Sequence, residues 1–202
     1  MPKRPRRHRP AGPRSAANPF RTKLSGGTRT SLGRTDAVVA EVLAAPQKFP
    51  ALLVCLAQAD DEDADASAND AILLMRASDA IEKISRQRTE WLAPHKLDFL
   101  GLAGASDQIE VRWHMAQILP RLPLTPRERI VAIDILFDYL KDRSSIVKTH
   151  AMQALADFAA KDSKLKGKIL PLLDELTEIG TAAMRARGRK LLAHLNRLAP
   201  SV

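Results

Sequence analysis

The sequence predicts an all-α fold: a short α-solenoid of about four helix pairs over residues 35–202, preceded by a disordered basic arm over residues 1–34. Three observations predict it. Beyond Asp36, apolar residues recur at helical spacing almost everywhere. The apolar stripes repeat at a nearly fixed step along the chain. Aromatic residues make up only 4% of the chain while alanine and leucine dominate, a composition that favours helix over sheet.

The arm comes first. Residues 1–34 carry ten basic side chains, Arg4, Arg6, Arg7 and Arg9 among them, and no acidic one. The rest of the chain, with 22 basic and 23 acidic residues, is close to neutral, so the net charge of +9 belongs to the arm. Pro2, Pro5, Pro10, Pro13 and Pro19, with Gly26, Gly27 and Gly33, forbid one continuous helix there. The scarcity of apolar side chains predicts disorder. No apolar run follows the basic start, so a secretory signal is not expected. The prolines also spoil the amphipathic helix of a mitochondrial presequence. The glycines lack the closing Gly-Lys-Ser/Thr of a phosphate loop. Two readings stay open: contact with nucleic acid or another anionic surface, or a solvated tail.

The body follows element by element. Thr35 caps a stripe of Val38, Val39, Val42 and Leu43. Phe49, Leu52, Leu53 and Leu56 form the next. Residues 59–69 hold Asp60, Asp61, Glu62, Asp63 and Asp65 and no strong apolar residue, which reads as a solvated acidic loop. Its spacing does not match an EF-hand. Helical stripes then run from Ile72 to Ile84, Trp91 to Leu102, Val111 to Leu122, Ile130 to Leu140, Ile146 to Phe158, Leu165 to Leu176 and Met184 to Leu198. Thr125-Pro126 opens one of them with a cap and a proline at the first helical position. Leu136 and Leu155 are expected in the core.

These stripes repeat. Met75-Arg76, Val111-Arg112, Val147-Lys148 and Met184-Arg185 align at steps of 36, 36 and 37 residues. Leu100, Leu136 and Leu172 keep a step of 36, as do Leu140 and Leu176. Two helices per period of this length signify an α-solenoid, in which no unit buries its apolar face alone.

The repeat resembles the HEAT-repeat family of armadillo-type solenoids. The family's unit has an aspartate in the turn and a Val-Arg/Lys pair opening the second helix. Here Asp70 precedes Arg76 by six residues and Asp142 precedes Lys148 by six. Asp107 precedes Arg112 by five, with Ser106 in the sixth position. The last unit, around Gly180 and Thr181, lacks the acid and keeps Arg185. The resemblance covers roughly residues 35–202. It implies a ladder in which Arg76, Arg112, Lys148 and Arg185 pair with the turn residues Asp70, Asp107 and Asp142. It also implies that second helices line a concave surface. It is silent on activity.

Candidate functional residues fall into two groups. Arg185, Arg187, Arg189 and Lys190 crowd one turn of the last helix; with Arg4, Arg6, Arg7 and Arg9 they are the candidates for nucleic-acid contact. Trp113 points away from the core face of its helix, where the equivalent positions hold Ala77, Thr149 and Ala186. With His114 and His150, it is a candidate for contact with a protein partner; packing of Trp113 against the neighbouring repeat is the equal alternative. The two histidines are one repeat apart, about 10 Å by helix packing, and no third ligand accompanies them, so packing at the border between units is expected rather than a metal site. Cys55, the one cysteine, lies in an apolar run and reads as a small buried hydrophobe. No catalytic constellation and no cofactor motif is found. The leading expectation is a non-enzymatic scaffold offering its concave face to a protein partner. The alternative is a nucleic-acid binder using the arm and the last helix, and an enzyme comes third. No run approaches 18 apolar residues, so no membrane span is expected, and a cytoplasmic location is.

Overall fold

The computed structural model describes residues 18–28, 31–56 and 64–198. Ten α-helices carry them: α1 (Pro19–Leu24), α2 (Thr35–Ala44), α3 (Phe49–Leu53), α4 (Ala64–Ser85), α5 (Lys96–Ala105), α6 (Ile109–Ile118), α7 (Pro126–Tyr139), α8 (Ser145–Ala159), α9 (Ser163–Ile179) and α10 (Ala182–Arg197). There is no strand among the described residues. No helix among them is long and apolar enough to cross a membrane.

The architecture is a short helical solenoid. Helices α3–α4, α5–α6, α7–α8 and α9–α10 form four pairs, with α1 and α2 in front. The second helices pack in direct succession, α2 on α4, α4 on α6, α6 on α8 and α8 on α10. Among the first helices, α5 and α7 pack closely. One apolar core runs between the two layers, through Val38, Leu52, Ile81, Phe99, Met115, Leu136, Leu155, Leu173 and Leu195. Leu136 and Leu155 are fully buried, as expected. Leu97, Ile130 and Ile146, which the periodicity placed in apolar stripes, stand exposed on the flanks.

Local chemistry sets the helix limits. Thr125 and Glu128 form a reciprocal capping box at the start of α7, with Pro126 at the first helical position. Asp162 caps α9 through the amides of Lys164 and Leu165. Ser144 and Thr181 cap α8 and α10. Pro120 follows α6, and the chain tightens there into a 3-10 turn, Leu119–Arg121.

The repeat is written into cross-unit hydrogen bonds. Gln108 Nε2 donates to the Ala71 carbonyl at 2.9 Å, Arg121 Nη1 to Ser85 Oγ at 2.6 Å, and the Tyr139 hydroxyl to the Ala103 carbonyl at 2.7 Å. These pairs are 37, 36 and 36 residues apart in sequence. The last unit shifts by one residue in both its helices. Ala132 and Leu136 fill the core from α7, whereas Ile169 and Leu173 do so from α9. Leu173 therefore takes the place expected of Leu172, which is half-buried.

Two expectations need correction. The basic arm does not reach residue 34. Phe20 and Leu24, one helical turn apart on α1, are completely buried against α2, α3 and α4. Asn18 caps α1 by accepting from the Phe20 amide, and its own amide donates to the Ala51 carbonyl at 2.6 Å. The Arg76 guanidinium, 3% exposed, then holds the returning chain, donating to the carbonyls of Leu24, Ser25, Gly26, Thr28 and Ser31. Gly26, Gly27 and Gly33 adopt positive φ (75°, 80° and 54°), so these glycines shape a folded turn rather than a loose one. Residues 1–17, with Arg4, Arg6, Arg7 and Arg9, lie outside the described residues. The second correction concerns the acidic loop. Helix α4 starts at Ala64, so the part from 64 onward is helical; alanines at 64, 66 and 68 favour this strongly. Asp60, Asp61, Glu62 and Asp63 lie outside the described residues.

Candidate functional site

The implied ladder forms at one rung. Arg112 donates from Nη1 to Asp142 Oδ2 of the next unit at 2.7 Å and from Nε to the Ser106 carbonyl at 2.8 Å. The other rungs differ. Arg76 is taken by backbone carbonyls, so Asp70 pairs instead with Arg21 at 2.5 Å. Asp107 is exposed, and the buried residue in its turn is Ser106. Lys148 pairs with no carboxylate among the described residues. Arg185 donates to the Gly180 carbonyl at 2.7 Å, closing the turn that lost its acid. A different rail runs along the starts of the first helices: Lys96 with Glu128 at 2.7 Å, then Arg129 with Asp162 at 3.1 Å.

The more telling polar row crosses the second helices. It begins at α2, where Asp36 binds Lys83 of α4 at 2.7 Å. The Lys83 ammonium also stands 2.8 Å from Asp79 Oδ2, in ionic rather than hydrogen-bonding alignment. Burial lowers the Lys83 pKa, but the carboxylates of Asp36 and Asp79 outweigh that, and the net shift is upward. Glu82, 1% exposed, is the centre of the row. It accepts from Arg86 one turn along α4 and from Arg121 Nη1 at 2.9 Å across the α4–α6 interface. Burial pushes the Glu82 carboxyl up; the two guanidiniums more than offset it and hold it below the usual range.

The row continues on α8 and α10. Arg187 Nη1 donates to Gln153 Oε1 at 2.8 Å, and Gln153 Nε2 donates to Asp157 Oδ1 at 2.8 Å. Between Arg121 and Arg187 the surface opens into a hollow of about 170 Å³, lined also by Gln117, Pro120, His150 and Asp157. Burial raises the Asp157 carboxyl above its ordinary value, despite Lys161, Arg121 and His194 nearby. Burial, then the charge of Arg187, lowers the His150 imidazole.

The three residues expected to meet a partner are not brought together. His114 is buried, with Nε2 4.0 Å from Asp79 Oδ1 and Nδ1 without a hydrogen-bond partner among the described residues. Burial pushes its pKa down to about 4. It packs within the α4–α6 interface and is withdrawn from any partner. Trp113 is half-buried against the core, its ring edge-on to His114 at 5.5 Å. Only His150 opens into the hollow. The basic turn of α10 also divides: Arg187 lines the hollow, Arg185 closes its own turn, and Arg189 and Lys190 face solvent.

Sequence reasoning missed Arg121, Gln153 and Asp157. One signal was present: Ser85, Arg121, Asp157 and His194 follow the same 36, 36 and 37 steps as the repeat, and all four are polar where a helix pair would bury carbon. Two apolar grooves were also missed. One, of about 480 Å³, lies between Leu53, Leu56, Leu97 and Leu102; the other, of about 320 Å³, lies between Ile130, Phe137 and Leu165. Among the described residues no three His, Cys, Asp or Glu side chains are placed to hold a metal ion. Cys55 is buried, and desolvation raises its thiol to about 11, which leaves it unreactive at neutral pH.

No family model, curated protein or solved structure matches the chain. The functional reading therefore rests on geometry.

Proposed function

We propose that this chain is a non-enzymatic HEAT-like scaffold that holds a protein partner on the face made by α4, α6, α8 and α10. The observation that carries the reading is the polar row itself. Lys83, Glu82, Arg121, Gln153 and Arg187 are each tied to a neighbouring helix or turn, so the face offers side chains fixed before binding. Prior fixing reduces the ordering cost of association, which is what a recognition surface needs. The polar residues around the hollow are guanidinium, amide and imidazole groups and the Asp157 carboxyl, a set suited to holding a ligand in position. A cytoplasmic scaffold would suit a chain whose one thiol is buried and free.

The rival reading is nucleic-acid binding. Solvent-facing Arg189 and Lys190, with the ten cations of residues 1–34, support it. The engagement of Arg185 and Arg187 elsewhere weakens it. A photo-crosslinking side chain at Gln117, in the full chain, tests the scaffold. It should capture a discrete protein in nuclease-treated extract, while the same group at Lys190 should not. Adducts that form at Lys190 and vanish with nuclease would favour the rival.

A further inference from the structure

We infer that the hollow between Arg121, His150 and Arg187 is a receptor for one carboxylate side chain of an acidic protein partner, which rests on the scaffold reading above. Size is the first argument. A volume of about 170 Å³ is well below the roughly 300–1,000 Å³ of pockets for drug-sized ligands. It has room for one side chain.

Charge is the second argument. Glu82 is a single carboxylate shared between two guanidiniums, Arg86 and Arg121, so that cluster keeps one positive charge in excess. Arg187 bonds to the neutral amide of Gln153 and pairs with no carboxylate among the described residues. Asp157 also lines the hollow, its carboxyl raised by burial, and Lys161, Arg121 and His194 stand near it. Two arginines and one carboxyl thus line the hollow, so its positive charge is only partly compensated.

Donor geometry is the third. Gln153 is oriented at both ends: its carbonyl accepts from Arg187 and its amide donates to Asp157. That fixes the Arg187 fork, which has further N–H groups to give. Arg121 is anchored through Nη1 on Glu82 and Ser85 and likewise retains donors. His150 makes no hydrogen bond with a described residue, and its lowered pKa leaves a neutral ring with one N–H at pH 7. Three donor side chains line one space, two of them charged; they favour an acceptor with a negative charge, and a planar carboxylate fits the guanidinium fork. A nucleic-acid backbone fits poorly. Of the exposed cations on α10, Lys190 stands one turn from Arg187 and Arg189 on the opposite side, so a run of phosphates would meet at most one further cation beside the hollow.

The test uses the purified full chain and the imidazole signals of His150 in NMR. The probe is a short glutamate-rich peptide with blocked ends, with its glutamine counterpart and inorganic phosphate as controls. The glutamate peptide should shift His150 saturably. Arg187→Gln should weaken binding at least about tenfold, as loss of a charge-assisted hydrogen bond does, with Arg189→Gln neutral. Gln153→Glu, which gives Arg187 a carboxylate of its own, should also abolish binding, and it covers the case in which Arg187→Gln fails to fold. The inference is overturned if the glutamine peptide binds equally, if natively melting variants bind as well as the parent, or if phosphate shifts His150 and the peptide does not. If the peptide fails while crosslinking at Gln117 still captures a protein, the receptor falls and the scaffold stands. If the peptide binds and crosslinking captures nothing, the carboxylate site stands without the scaffold.

Discussion

Gly33 and Arg76 pack so closely that a Cβ on Gly33 would lie 3.0 Å from the guanidinium carbon of Arg76. The glycine also holds a φ of +54°, which other residues adopt at a cost. Gly33→Ala should therefore destabilise by about 1–2 kcal/mol. Gly26, also at positive φ but with open space around it, should accept asparagine with little change. Arg76→Ala should go further, orphaning five carbonyls and opening Arg21 and Lys23 to trypsin. Equal melting temperatures for the parent and Gly33→Ala would show that the turn is not held as described.

Glu82 carries the second prediction. Removing a buried carboxylate shared by two guanidiniums leaves uncompensated charge, and Glu82→Ala should cost about 3–5 kcal/mol in urea unfolding. Arg86→Ala should cost under about 1 kcal/mol, because the Arg86 side chain is 58% exposed while Glu82 is 1%. Similar losses for both would mean that burial does not set the value of this cluster.

Acid sensitivity follows from His114. Its folded pKa of about 4 lies below the ordinary 6.5 because burial disfavours the imidazolium. The unfolded chain binds the proton more readily, so stability is full above pH 6.5 and falls as the pH drops toward 4. The loss approaches about 3 kcal/mol from this residue alone. His150 is shifted in the same direction and adds to the slope. Replacing His114 by glutamine should flatten the pH dependence of unfolding between those limits. An unchanged slope would place the acid sensitivity elsewhere.

Truncation separates the arm from the fold. Deleting residues 1–17 removes Lys3, Arg4, Arg6, Arg7, Arg9 and Arg14 and should leave the melting temperature unchanged. It should also remove most salt-dependent binding to duplex DNA, each phosphate contact contributing a slope of about −0.9 in log–log form. Deleting residues 1–34 should lower the melting temperature sharply, since Phe20 and Leu24 are completely buried. A chain lacking 1–34 that melts like the parent would return α1 to the arm.

The periodic part of the fold was legible because period and burial coincide: Val111, Val147 and Met184 recur in sequence and are buried in space. Phe20 and Leu24 escaped notice because two apolar residues among prolines and arginines give no periodic signal. Arg76 misled for a related reason. Its spacing from Asp70 matched the ladder, yet the nearer acceptors were carbonyls from a segment some 50 residues earlier. The hollow was illegible because it is assembled from polar residues on three helices and one turn, each unremarkable on its own. His114 was misplaced because a helical repeat gives a residue's register and leaves open whether its neighbours on the next helix cover it.

The two ends of the stack decide what the molecule can become. A solenoid lengthens when an incoming unit finds an apolar layer left open. Here α1 is seated over α2, α3 and α4, and Arg76 fastens the chain behind it. At the other end, α10 turns Arg185, Arg189, Lys190, His194 and Arg197 to water. A like copy meeting α10 would therefore face like charge rather than an apolar layer. In this respect the described stack is closer to a ruler than to the seed of a filament, since growth by like copies at α10 would work against its own charge.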